Sequence, residues 1–394
     1  MAINLTRRQA LALPAGIALA GVTRQRAFAA EPVKIGLVAA LSGQSAKSGE
    51  GITRGLTIAI DEINARGGVL GGRMIELVRR DDESNPSKGQ TAARELIDKE
   101  GAVALFGGID SPVSLAIVPV VTEAKVPFMG DWAAATNITR NGTSPNYVFR
   151  VSAVDVLVDR ALIKHAMTAF GSKVPGLMLV NNAWGESNLK GLTAAAGAAG
   201  VKLAGSEKFD DKDADMTPQL ERLRSAGADS VILVGNAAPG AQVIKSLQRL
   251  AWTVPVVSHW GISGGRFPEL AGSGASKVHF IQTYSFFGHQ NEVGKRVLAA
   301  LMAKYPDIKG PGDVTPPVGV ANAYDAMQLT ALAIEKAGST NGPKLREGFL
   351  GIERYQGLIK TYTHPFTEDN HDALNENDYI MVHYKGNQIE PIAA

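Results

Sequence analysis

The 394-residue chain contains no cysteine. That excludes disulfides, thiolate metal sites and a lipid-bearing N-terminal cysteine. It also has no long basic run and no patch of interleaved basic and aromatic residues, and its formal net charge is only +2. Nucleic acid is therefore not an expected partner. No Walker loop is present, and no GxGxxG follows a strand pattern, so neither a nucleotide phosphate cradle nor a bound dinucleotide is expected. Pairs such as His371-Asp372 lack the helical spacing of metal ligands. The reading is of a chain without cofactor or metal. Long apolar runs are scarce as well. Leu11–Val22 is too short to span a bilayer comfortably and nothing later is longer, so no membrane span of its own is expected.

The scarce features near the N-terminus do form a pattern. Arg7 and Arg8 precede the apolar run, and Ala27-Phe28-Ala29 offers a small-x-small cleavage site. Residues 1–29 thus read as an export signal peptide. Losing them removes four arginines and no acid, which moves the net charge from +2 to −2. Thr6-Arg7-Arg8 matches a twin-arginine signal, while Ala10 in place of a large apolar residue leaves the general secretory route open. The mature protein is expected to be exported, soluble and unanchored, and its length predicts two domains.

The chain is organised around Val103–Pro112, VALFGGIDSP. Four apolar residues predict a buried parallel strand. Gly107 and Gly108 then allow a tight, uncovered turn. Ser111 stands where an N-cap belongs, and Pro112 where a helix begins. Free amides and the positive end of a helix dipole would converge on this loop, an arrangement that binds anions. The same order recurs along the chain. Strand patterns at Lys34–Leu41, Met74–Val78, Pro127–Gly130 and Tyr147–Val151 alternate with helical spacing at Gly51–Arg66 and Lys88–Glu100. A second set runs from helix Val154–Phe170 to strand Val254–Ser258, and strands at His279–Tyr284, Gln356–Thr363 and Asp378–Tyr384 follow. Two similar halves of an α/β, doubly wound, parallel-sheet kind are the economical reading.

In such sheets ligands sit beyond the C-terminal strand ends. Those positions are Leu41–Gly43, Gly107–Ser111 and Asp131–Thr136 in the first half, and Asn181–Trp184, Gly235–Ala237 and His259–Gly261 in the second. Three of the four tryptophans, Trp132, Trp184 and Trp260, fall in these loops. A loop tryptophan is useful where it packs on a ligand. Gly261-Ile262-Ser263-Gly264-Gly265 matches the GxSxG pattern of hydrolases, but Arg266-Phe267-Pro268 follows where a nucleophile elbow needs a long helix.

With these features in place, the chain resembles the periplasmic solute-binding proteins of branched-chain amino acid ABC transporters, the leucine-binding type. The resemblance covers about residues 32–390. It rests on Ile35-Gly36 leading to Leu41-Ser42-Gly43, Ile63-Asn64-Ala65-Arg66-Gly67-Gly68, Asp81-Asp82, Ala133-Ala134-Ala135-Thr136, Tyr147-Val148-Phe149-Arg150, Trp184-Gly185 and Tyr324-Asp325-Ala326. It implies two doubly wound lobes joined by three crossing strands, near Val151, Thr283 and Gly357. Lobe 1 would comprise 30–151 and 284–356, and lobe 2 would comprise 152–283 and 357–394. In the family the ligand carboxylate meets a serine and loop amides after the third strand, here Ser111 with Ile109 and Asp110. The segment after the fourth strand matches Trp132, Ala133 and Ala134, and Ala134 lacks the family's hydroxyl. The acid that holds the ligand ammonium matches Trp260, which cannot do that task. The family's ligand-side aromatics match Ser48, Trp184 and Asn236, so one is kept.

The carboxylate end thus looks retained and the ammonium end lost. A buried ammonium without a partner costs several kcal/mol. A small apolar or aromatic carboxylate is then the expected ligand. Asp110 either turns outward or replaces the missing acid and restores amino-acid binding. The resemblance implies a non-enzymatic periplasmic receptor that delivers its ligand to ABC permease subunits in the inner membrane. Two alternatives are a periplasmic sensor that uses the same fold to signal through a partner, and an exported serine esterase acting through Ser263.

Overall fold

A computed structural model describes residues 31–392. The expected export signal, residues 1–29, lies outside the described residues. The first sheet takes its strands from consecutive crossover units: β1 (Val33–Ala39), α1 (Ala46–Ala65), β2 (Ile75–Asp81), α2 (Pro86–Asp98), β3 (Ala104–Gly107), α3 (Ser111–Ala124), β4 (Phe128–Gly130) and β5 (Val148–Arg150). Its order is β2-β1-β3-β4-β5, and every pairing is parallel. β1 and β3 are buried almost throughout because helices cover both faces, which is why they read as unbroken apolar runs. β2 lies on the edge and continues through Arg79-Arg80-Asp81, charged residues that end an apolar pattern but not an edge strand.

The second sheet is built the same way from α4 (Asp155–Phe170), β6 (Pro175–Val180), α5 (Ala183–Ala198), β7 (Gly205–Phe209), α6 (Thr217–Ser225), β8 (Ser230–Val234), α7 (Ala237–Arg249), β9 (Val256–Ser258), α8 (Phe267–Ala271) and β10 (Val278–Gln282). The chain then returns to the first lobe with α9 (Glu292–Lys304), α10 (Pro317–Ala337) and α11 (Gly342–Leu350), where α10 packs along α1 and α11 along α10. α10 is buried on nearly every side, and its buried polar residues are hydrogen-bonded, Asn322 to Thr283 and Asp131 and Asp325 to the segment after β11. A two-stranded ribbon, β11 (Arg354–Gln356) and β12 (Thr361–Thr363), follows. Finally β13 (Ile380–Lys385) and β14 (Gln388–Pro391) complete the second sheet in the order β14-β13-β10-β9-β8-β6-β7, with β13 and β14 antiparallel to their neighbours. The architecture is α/β, with two doubly wound lobes.

One expectation is corrected here. Gln356–Thr363 is not a single strand crossing between lobes. Gly357 N–H donates to Lys360 O at 2.9 Å, which closes a hairpin turn. Buried Asp325 of α10 accepts the amides of Leu358 (2.6 Å) and Ile359 (2.9 Å) and the Tyr362 hydroxyl (2.8 Å), so the hairpin is pinned to the first lobe. The chain then runs beside β5, where Arg150 N–H donates to His371 O and Ala373 N–H to Arg150 O, both at 2.9 Å. The third crossing therefore falls between Leu374 and Tyr379 rather than near Gly357. Among the described residues no helix is long and apolar enough to cross a membrane.

Candidate functional site

The loop after β3 turns through Gly107 (φ 108°) and Gly108 (φ 69°), and a Cβ on Gly108 would lie 1.9 Å from Ser114 Oγ. Only glycine fits there. The helix then starts one residue earlier than its sequence suggests. Asp110, not Ser111, is the N-cap: its backbone is extended, and its carbonyl accepts Val113 N–H (3.0 Å) and Ser114 N–H (3.1 Å). Ser111 is the first helical residue, and its Oγ accepts Ala135 N–H at 3.2 Å, tying this loop to the next one. Ile109 turns into the apolar core. The Asp110 side chain does not cap its own helix. Its Oδ1 instead accepts from Nδ2 of Asn236, at the start of α7 in the other lobe, at 2.9 Å. Of the two orientations open to Asp110, the structure shows the inward one.

The loop after β4 carries Trp132, Ala133 and Ala134, all buried. Arg150, itself fully buried, shapes it: Nη1 donates to the carbonyls of Ala133 (3.3 Å) and Ala135 (3.0 Å), Nη2 to Thr139 Oγ1 (2.8 Å), and Nε to Asp372 Oδ1 (2.8 Å). Ser152 Oγ donates to Trp132 O at 2.8 Å. The first amide of α4, Asp155 N–H, donates to Ala134 O at 2.8 Å, so the second lobe's first helix begins against this loop.

From the second lobe, Trp260 meets Trp132 with ring centroids 5.8 Å apart and planes tilted by 43°. Ser48 Oγ donates to Gly264 O at 3.3 Å, and Thr136 N–H donates to Ser187 Oγ at 3.1 Å, both across the lobes. Trp184 stands edge-on to His259 at 5.0 Å, and His259 edge-on to Trp260 at 5.6 Å. The ten residues singled out from sequence thus lie in or beside the segments where the lobes face each other, with Ser48 in the first turn of α1; Ala133 packs into an apolar cluster of the first lobe, and Ile109 into the larger cluster that Trp132, Trp184 and Trp260 also join.

One residue of this cluster escaped the sequence reading. Asp155, fully buried at the start of α4, accepts Trp184 Nε1–H at 3.2 Å and pairs with His259 Nε2 at 3.1 Å, both through Oδ1. His259 Nδ1 accepts Trp260 N–H at 2.9 Å, so Nε2 carries the proton that Asp155 receives. Oδ2 of Asp155 is buried with no partner. A carboxylate at a helix N-terminus has an ordinary explanation in the dipole, about 0.3–1 kcal/mol, and no local pattern marks this one. Its neighbours lie 29 and 104 residues away. The cleft therefore contains an acid, although position 260 does not supply it.

Ser263 donates to Trp260 O (2.7 Å) and accepts from Gln282 Nε2 (3.2 Å), so its hydroxyl has no general base beside it among these partners. Among the described residues no group of three or more His, Asp or Glu is placed to hold a metal ion.

Residues 32–388 match the family described as Periplasmic binding protein. A Leu/Ile/Val-binding protein of Rhizobium johnstonii is 26% identical over 307 residues, 78% of this chain and 80% of that protein. A solved type 1 periplasmic binding protein from Bordetella pertussis has a TM-score of 0.83 at 25% identity, covering 92% of this chain and 100% of that one. An ABC transporter solute-binding protein of R. palustris, solved with 4-hydroxybenzoate, has a TM-score of 0.77 at 22% identity, covering 92% and 96%.

Proposed function

The chain belongs to the periplasmic binding protein family, and from that premise we propose that it is the substrate-binding component of an ABC importer, closing two lobes on a small carboxylate and delivering it to permease subunits in the inner membrane. Its place of work is the periplasm, reached after export. The observation that carries this reading is the meeting of the ligand loops across the cleft: Trp132 with Trp260, Asp110 with Asn236 and Ser48 with Gly264. These residues are far apart in sequence and have in common only the face that closes. The moving bodies are lobe 1, 31–151 with 284–373, and lobe 2, 152–283 with 374–392, with the three crossings as hinge.

The carboxylate sits against the amides of Ile109–Ser111 and the first turn of α3, where unpaired N–H groups and the helix dipole favour an anion. The ligand body lies between Trp132, Trp260 and Trp184. Of the two ligand classes, Asp155 favours an amino acid, because its buried and partnerless Oδ2 needs a donor and an ammonium supplies a charge-assisted one. The relative from R. johnstonii is named for such ligands. A second reading, an aromatic carboxylate without an ammonium, is favoured by the Trp132–Trp260 pair, and the same fold holds 4-hydroxybenzoate in the R. palustris protein.

Thermal-shift and tryptophan-fluorescence titrations against amino acids and aromatic carboxylates test this. A ligand at 100 times its Kd adds about 2.7 kcal/mol of stability, enough to move the melting temperature by several degrees. Asp155→Asn can keep the oxygen that accepts from Trp184 and His259, while it removes the charge and puts an NH2 donor in place of Oδ2. It should weaken amino acids by about 1.5–3 kcal/mol and spare aromatic acids. No response to any carboxylate would remove the reading.

A further inference from the structure

A second acid lies one turn beyond Asp155. Asp159 follows it on α4 at the spacing that puts two side chains on one helix face. Both are fully buried, and α5 packs along α4. Trp184 of α5 donates to Asp155 at 3.2 Å, and a Cβ on Gly191 of α5 would lie 1.8 Å from Asp159 Oδ2, so α5 runs past both acids. Asn188 stands between Trp184 and Gly191, and its Nδ2 is committed to Trp184 O at 2.9 Å. Four oxygens are left over: Asp155 Oδ2, both oxygens of Asp159, and Asn188 Oδ1. None has a hydrogen-bond partner, and all are closed off from solvent. Every one is an acceptor unless an acid keeps its proton.

The surroundings bring no positive charge to them. His259 faces Asp155 from the end of β9 and is neutral, since Nδ1 accepts Trp260 N–H while Nε2 donates to Asp155. β8 and β9 carry no titratable residue, and His279 of β10 pairs with His165 at 2.9 Å. Lys190 of α5, Arg160 and Lys164 of α4, and Glu376 of the third crossing are exposed, Glu186 of α5 pairs with Lys208, and Asp378 pairs with Lys360. Two carboxylates one turn apart and out of water resist ionising together. The hydrogen bonds decide which keeps its proton. Asp155 Oδ1 receives two N–H donors and Asp159 receives none, so the charge belongs on Asp155 and the proton on Asp159. Burial, with the charge of Asp155 beside it, pushes the Asp159 pKa well above the usual carboxylate range.

Resting on the amino-acid reading of this cleft, we propose that Asp155 and Asp159 hold one proton between them, carried by Asp159, and that the ligand ammonium displaces it to solvent as it binds Asp155. One positive charge replaces another, so the buried pair keeps the same net charge in the free and liganded protein. A carboxylate without an ammonium cannot make this exchange. Asp159 is thus a positioning residue that acts on the ligand through Asp155. It makes selectivity depend on pH: amino acids gain affinity as pH rises, because binding them releases a proton, and acids without an amine do not.

Calorimetry on the full chain between about pH 6 and 8, in buffers that differ in ionisation enthalpy, reads the protons exchanged per ligand. Leucine and phenylalanine are the amino-acid probes, and 4-hydroxybenzoate is the probe without an ammonium. An amino acid that binds should release between about half a proton and one, with affinity rising by about tenfold per pH unit where release is complete. Asp159→Asn keeps the size of the side chain and removes the titrating proton. With its fold checked by circular dichroism, it should bind the same amino acid without proton release and with an affinity flat over this range. An amino acid that binds the parent chain without releasing a proton, or a release that survives in Asp159→Asn, overturns the inference. So does binding of 4-hydroxybenzoate alone. Each of these leaves the substrate-binding reading standing. If no probe binds, both fall.

Discussion

Asp131 is fully buried, and neither of its carboxylate oxygens has a hydrogen-bond partner. Burial pushes its pKa up to about 8, against about 3.9 in an unfolded chain. The folded state therefore binds more protons than the unfolded state between those values. Stability must fall as pH rises through that window, because the slope follows the protons bound by the unfolded state minus those bound by the folded one. Asp82 and Asp159, both raised by burial, act with the same sign. Asp131→Asn removes one titrating site without changing shape. Thermal melts from about pH 4 to 8 should show a shallower decline for the variant than for the parent chain. Parallel curves would mean that Asp131 is ionised in the folded protein. Asp131 stands beside Trp132, and its own carbonyl accepts Asn322 Nδ2–H at 3.1 Å, so a ligand loop and α10 meet at this one residue.

At the scale of elements, the loop between β4 and β5 has no regular structure beyond one short turn, yet its first residues, 131–135, are buried. Arg150 accounts for this. Its guanidinium satisfies two loop carbonyls, the Thr139 hydroxyl and the Asp372 carboxylate, and so fixes a segment that has few backbone bonds of its own. Arg150→Met would take the guanidinium away from the buried Asp372 carboxylate, leaving it the Thr139 hydroxyl (2.8 Å) and the more distant Arg140, and would strip a donor from the carbonyls of Ala133 and Ala135. Breaking a buried pair from one side costs about 3–5 kcal/mol. Urea denaturation should report a loss of that size, and ligand affinity should fall with it because Trp132 and Ala134 lose their support. Lysine is no substitute, since one ammonium cannot match four acceptors held by a planar fork. A variant as stable as the parent would show that the loop holds its own shape.

At the scale of the whole molecule, ligand binding favours closure only through contacts made in the closed form. Gly264 lies at such a contact. A Cβ there would sit 2.1 Å from Ser48 Oγ but 3.5 Å from Ser48 Cβ. Gly264→Ala should hold the lobes apart, weaken ligand binding and leave small-angle scattering of the ligand-saturated protein close to that of the free one. Adding Ser48→Ala removes the clashing oxygen and should restore much of the affinity, a coupling that the double-mutant cycle measures directly. If the second change rescues nothing, the two residues do not meet in the liganded protein. The Trp132–Trp260 contact offers an optical reading of the same motion, as both rings join partners from opposite lobes.

The amino-acid sequence by itself determined the alternation of strand and helix, the doubly wound class and the loops in which the cleft lies. Each of these depends on local signals: apolar runs such as Val103–Phe106, the glycine pair at 107–108, and prolines and small polar residues at helix starts. It also placed Ser111, Trp132, Trp184, Asn236 and Trp260 in those loops. Only the tertiary structure decided which side chains meet there. Asp155 joins Trp184 and His259, Asp110 turns away from its own helix toward Asn236, and the segment from Gly357 to Ala373 stays with the first lobe. The physical reason is range. Periodicity and capping act over a few residues, whereas a partner across a closing cleft lies tens to hundreds of residues away and leaves no trace in the local pattern.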